Sequence, residues 1–116
     1  MSQAGTYTKG AVAISGGGGG GGVTSTVTVT SAVAAAAVSQ TLIVANLARK
    51  GVSIANRSVA AVLFIRVNAG AASAMDYTIR LPPNAYFECP FGYLGAVTGI
   101  WDIAEVGAAA QMTEYT

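Results

Sequence analysis

From residue 23 onward the chain alternates. In VTSTVTVT (Val23 to Thr30) valine or serine trades places with threonine at a period of two, the pattern of a strand with one apolar and one hydroxyl face. Valines alone make that apolar face too thin to nucleate a sheet, so the segment is expected to be added to an existing one, its own or a neighbour's. SAVAAAAVSQTLIVANLA (Ser31 to Ala48) admits two readings. Alanine favours a helix, whereas Val33, Val38, Leu42, Ile43 and Val44 favour a strand with some extended connection; the strand is preferred because every later segment is β-like. VSIANR (52–57), AAVLFIRVN (60–68), DYTIRL (76–81), AYFEC (85–89), AVTGIWDIA (96–104) and AAQMTEY (109–115) follow, all rich in β-formers. Turn chemistry separates them: a polar break at Asn56 to Ser58, a loop of small residues at 68–75, tight turns at PPN (82–84) and PFGY (90–93), and a short hairpin connection at Gly107. Strands recurring every 8 to 12 residues or so predict an all-β fold, an antiparallel β-sandwich or jelly-roll-like domain.

The first 22 residues show no periodicity that could close a core, which divides the chain into an extended glycine-rich arm (1–38) and a sandwich (39–116). Ordering the seven glycines Gly16 to Gly22 costs roughly 1–2 kcal/mol of backbone entropy per residue. The run is therefore expected to pass where no Cβ fits, or along a groove on adjacent subunits. Gly16, Gly19, Gly22, Val23, Val27 and Val29 are the candidate anchoring residues. Among the aromatics, Phe64, Phe87 and Trp101 are assigned to the core. Tyr86, opposite Phe87 by alternation, and Tyr93, in a turn, are candidate surface contacts.

Composition changes the picture in one respect. Of 116 residues 9% are charged and 53% hydrophobic, against about 25% charge in ordinary globular chains. So little solvated charge suits a subunit whose faces are covered by copies of itself or by other proteins. The net charge is +1, and Arg49 and Lys50 are the one adjacent basic pair. That leaves no electrostatic footprint for nucleic acid or an anionic membrane. Arg49, Lys50 and Arg57 are expected on a solvated surface, with acidic patches on a partner as the alternative. The apolar stretch 32–48 is interrupted and short of the roughly 20 residues that span a bilayer. The opening residues do not read as a secretion signal, and the lone Cys89 reads as a small buried hydrophobe in a protein of cytosolic origin.

Chemistry is hard to assemble. Without histidine, Ser-His-Asp and Cys-His arrangements cannot exist, so no catalytic residue is assigned. The acids Asp76, Glu88, Asp102, Glu105 and Glu114 are not spaced for calcium, and neither a metal nor a cofactor is expected. The glycine run contains G-x-G-x-x-G, yet a Thr/Val strand follows it where a phosphate cradle needs a helix. NRS (56–58) is formally a glycosylation sequon and is read as a turn.

The ordered set of IANRS, VLFIRV, PPNAYFE, FGYLGAVTGIW and GAAAQMTEY, covering about Gly51 to Thr116, resembles small virion proteins of tailed bacteriophages. That resemblance implies a non-enzymatic β-sandwich subunit of the particle, a head decoration or cement protein on the capsid shell and a homo-oligomer, with a trimer favoured. Its partners would be the major capsid protein or other virion subunits, and its location the virion, after synthesis in the bacterial cytoplasm. A neck, collar or head-fibre attachment subunit is the alternative within the particle. A carbohydrate-binding host-attachment module is the alternative of another class.

Overall fold

The computed structural model describes residues 25–90 and 92–116. They form eight strands: β1 (Thr28–Ala34), β2 (Gln40–Ile43), β3 (Gly51–Arg57), β4 (Leu63–Arg66), β5 (Ile79–Leu81), β6 (Tyr86–Glu88), β7 (Val97–Trp101) and β8 (Ala109–Tyr115). All pairings are antiparallel, in two four-stranded sheets ordered β1-β8-β3-β6 and β2-β7-β4-β5. The first strand pairs the last, the second the seventh, the third the sixth and the fourth the fifth. This nesting is a long hairpin rolled up on itself, the jelly-roll form of the sandwich. No helix occurs among the described residues, so the alanine-rich stretch forms β1 and β2 as its β-branched residues require.

The boundary drawn at residue 38 falls between two strands of the sandwich. The Thr/Val strand joins the chain's own sheet, displaced toward the alanines: Thr28 to Ala34 pair with Tyr115 to Ala109. Only the connection from β4 to β5 stays within one sheet; β7 and β8 lie in different sheets, so the turn at Gly107 is a crossover corner and not the expected hairpin. Gly107 serves that corner at φ 82, while Ala108 N–H closes it on Glu105 C=O at 3.2 Å. Pro82 to Ala85 is a turn with Pro83 second and Asn84 third at φ 65, the arrangement of a type II turn.

The core between the sheets is built by alternation. Val52 and Ile54 of β3, Ala110 and Met112 of β8, Leu63 and Ile65 of β4, and Val97 and Trp101 of β7 are all buried. Gly99 lies between the last two, where an added Cβ would meet Leu42 Cδ1 at 2.7 Å, so glycine there makes room for the leucine of the bulged β2. Phe64 corrects an expectation: Leu63 and Ile65 face in, and a period of two turns Phe64 out, where it meets Tyr77 at 5.1 Å between ring centroids. Trp101 is buried and Phe87 packs half-buried against the core.

Asn56, read as part of a polar break, is fully buried inside β3. Its Nδ2 donates to the carbonyls of Ala61 (2.9 Å) and Leu81 (3.0 Å), and its Oδ1 accepts from Trp101 Nε1 (3.2 Å). One amide therefore ties β3 to both β5 and β7 across the sandwich. A buried amide with all these partners is a register pin, closed to glycosylation in the folded state.

Candidate functional site

Four strands lie at sheet edges: β1 and β6 in one sheet, β2 and β5 in the other. Three are protected by the devices that keep edges from pairing. β6 has three residues, carries Glu88 and is soon followed by Pro90; β5 has three, carries Arg80 and runs into Pro82; β2 has four and a register shift between Thr41 and Ile43. β1 has seven residues, with no charge, proline or bulge.

Its ladder fixes which backbone groups are open. Val27 N–H donates to Thr116 C=O (3.1 Å), Thr116 N–H to Val27 C=O (2.8 Å) and Ala35 N–H to Ala108 C=O (2.9 Å). Alternation between these points turns Val29, Ser31 and Val33 toward β8. The N–H and C=O groups of Thr28, Thr30, Ala32 and Ala34 point away, with no partner among the described residues. Side chains follow the same parity. Val29, Ser31 and Val33 stand beside Glu114, Met112 and Ala110 on the inner face, yet only Val33 is half-buried and Val29 stays 54% exposed. The second sheet covers the end of β1 and leaves its beginning bare.

The chain enters this edge at a braced corner. Ser25 Oγ shares its one hydrogen between Val27 C=O (3.1 Å) and Thr116 C=O (3.0 Å), so the segment before β1 is stitched to the last residue. Beneath it lies Arg49, expected on the surface and found 4% exposed. Its Nε donates to Glu114 Oε2 (2.8 Å), Nη1 to Gly95 C=O (2.7 Å) and Nη2 to Val44 C=O (2.6 Å), while Asn46 Nδ2 donates to Glu114 Oε1 (3.3 Å). The guanidinium thus gathers the β2–β3 and β6–β7 connections onto β8. One signal for this cluster was present in the sequence: alternation puts Glu114 on the inward face with Ala110 and Met112, and a buried acid needs a base. Cys89 is nearby and buried; burial pushes its thiol up to about 11, with the Arg49 charge opposing, so it stays protonated near neutrality.

At the opposite end, the carboxylate of Glu105 accepts from the backbone N–H groups of Val59, Ala60 and Ala61, all at 2.8 Å, and Asp102 Oδ1 accepts from Val62 N–H at 2.9 Å. The three backbone donors hold the Glu105 carboxyl below the usual carboxylate range. These acids brace the β3–β4 turn, around which Val59, Ile103 and Val106 are exposed.

Of the residues singled out in the sequence, Val27 and Val29 lie on the open edge and are exposed. Gly16, Gly19, Gly22 and Val23 lie outside the described residues. Tyr86 projects from the outer face of the first sheet, well exposed. Tyr93 does not join it: half-buried against the core, it donates its hydroxyl to Ala96 C=O. A shallow groove of about 380 Å³ opens on the outer face over Gly51, bordered by Ser53, Glu88 and Tyr115. Tyr86 pairs with Ala55 and Tyr115 with Gly51 on the two sides of β3, which separates them by roughly 16 Å, too far for one sugar platform. Among the described residues no three potential metal-ligating side chains gather, and no helix is long and apolar enough to cross a membrane. In comparisons with known proteins, no family model, no curated protein and no solved structure matches the chain.

Proposed function

We propose that the protein is a non-enzymatic structural subunit of a tailed-phage virion, a decoration or cement protein that binds the major capsid protein and stabilises the shell. The observation that carries this reading is the jelly roll with, among the described residues, a single unprotected edge at the point where the N-terminal residues join it. Jelly rolls recur in viral capsid and lectin domains, and this fold-level analogy favours the reading. Charge supports it as well. Six basic and five acidic residues are few for 116, and Arg49 and Glu114 are withdrawn into a pair while Glu105 and Asp102 are engaged by backbone amides. A surface this poor in free charge, with bare valines at its loop tips, suits a protein that works covered. Residues 1–27 are the anchor in this reading, and the sandwich is the outer body.

Quantitative mass spectrometry of purified virions tests it. Copy numbers in the hundreds, with particle binding lost when residues 1–22 are deleted, are the expected result. About a dozen copies would move the protein to the neck or fibres, and absence from virions would overturn the reading.

A further inference from the structure

The open edge has a symmetry of its own. β1 reads Thr-Val-Thr-Ser-Ala-Val-Ala, with Val29 and Val33 equidistant from Ser31. We propose that β1 is the seam between two copies of this chain, paired antiparallel about a two-fold axis at Ser31, so that two four-stranded sheets become one of eight. The inference stands on the edge alone and does not depend on the virion reading.

Parity and full overlap together select this register. The groups free for pairing belong to the even-numbered residues, so the hydrogen-bonded pairs across the seam must join even to even. Two-folds at Thr30 or Ala32 also do this but leave one end of the strand unpaired, whereas a two-fold at Ser31 uses all four free residues: Thr28 meets the partner's Ala34 and Thr30 meets the partner's Ala32. Four such pairs exchange about eight hydrogen bonds. The closer, non-bonded sites then match Val29 with the partner's Val33 and Ser31 with the partner's Ser31. Both valines lie on the inner face, and the bare Val29 gains an apolar cover. Charge agrees with self-pairing. Identical strands set like beside like, and β1 has no charged residue to repel its copy. An edge shielded from every partner would carry the lysine, proline or bulge that natural sheets use, and the other three edges carry such devices.

Such a seam is smaller than the roughly 1,200 Å² of a standard interface, so association is reversible and rises over about 1 μM to 1 mM. Sedimentation of the full chain across that range is expected to show monomer passing to dimer. Ser31→Cys gives a register-specific readout. A residue on the axis faces its own copy at a Cα separation of about 4.5 Å, within disulfide range. Mild oxidation should link this variant into a covalent dimer, while Thr28→Cys, which faces Ala34, should link far less; the native Cys89 is buried and does not compete.

Thr30→Pro removes one free N–H without touching the β8 ladder and should weaken association at least tenfold. Should that variant fail to fold, Ser31→Lys, on an exposed side chain, sets two ammonium groups face to face and should weaken association most at low salt. A chain still monomeric at about 1 mM overturns the proposal. So does a trimer, an association unchanged by both Thr30→Pro and Ser31→Lys, or cross-linking as fast through Thr28→Cys as through Ser31→Cys. A monomer whose even-numbered β1 amides resist hydrogen exchange also overturns it, because the chain's own N-terminal residues would then cover the edge.

Discussion

β1 and β3 flank the same strand in the same register. Thr28 and Gly51 both oppose Tyr115, and Ala34 and Arg57 both oppose Ala109. Each is seven residues long and bonded to β8, yet β3 alternates between buried and half-buried positions while β1 is exposed along nearly its whole length. β3 therefore owes its place to the core and β1 to the backbone ladder. Hydrogen bonding alone contributes little net stability because water competes for the same groups. A strand held this way is a surface element that happens to lie in a sheet, which is why a second strand on its far side would matter more to it than to β3.

The largest effect is expected where the two strands share a support. Glu114 stands between Val29 and Val52, and Arg49→Leu would leave its carboxylate without its cation and the carbonyls of Gly95 and Val44 without their donor. Denaturant unfolding should show a loss of about 3–5 kcal/mol. A loss below about 1 kcal/mol would mean that the corner is braced by other contacts.

Next comes the contrast between the strands. Ile54→Ala should cost about 2–5 kcal/mol by opening a cavity, whereas Val29→Ala, also on the inner face but exposed, should cost about 0.5 kcal/mol or less in the monomer. Equal costs would contradict the division of roles. Should Val29→Ala destabilise only at protein concentrations that favour the dimer, the seam would be the reason.

A smaller effect concerns the far end, where β3 leaves the sheet. The Glu105 carboxyl is depressed in the folded state, so its contribution is present above the ordinary glutamate value of about 4.3 and is lost as pH falls through the lower folded value. Stability should decline over that acid window, and Glu105→Gln should flatten the decline while leaving β1 unaffected. Melting curves between about pH 2.5 and 6 decide it.

Hydrogen exchange gives the finest contrast. In dilute protein, the amides of Thr28, Thr30, Ala32 and Ala34 should exchange faster than those of Val29, Ser31 and Val33, an alternation absent from β3, which is paired on both sides. Uniform protection along β1 would show that its edge is already covered.

Much of the fold was legible because it depends on local chemistry. β-branched runs and the turns at Pro82 to Asn84 and Gly107 act within a few residues; the strands from β4 to β8 fall inside the segments so identified, and β3 exceeds its segment by Gly51. Asn56 and Arg49 were misplaced for a common reason: a polar residue is solvated by default, and only a set of partners distant in the chain makes burial tolerable. Arg49 lies 65 positions from Glu114, and Asn56 lies 45 from Trp101. Phe64 was misjudged because size suggested the core where phase decided otherwise; Leu63 and Ile65 hold the inward positions of β4. Of the candidate contacts, the exposure of Tyr86 followed from alternation with Phe87, whereas Tyr93 turned inward because its hydroxyl finds a carbonyl three residues away.

Local residue preferences were enough to make the described residues all-β, to place the strand segments from β3 onward and the positions of the turns, and to leave the chain without the imidazoles on which triad chemistry depends, since each of these is a property of single residues or near neighbours. The thin valine face marked the Thr/Val segment as a strand added to a sheet, its own or a neighbour's; tertiary structure decided that the sheet is its own and which side of β1 stays open. The open side arises because the nested pairing occupies β8 on both sides and leaves β1 with one neighbour among the described residues, and backbone groups that are equivalent in the sequence become, by position, either satisfied or without a partner there.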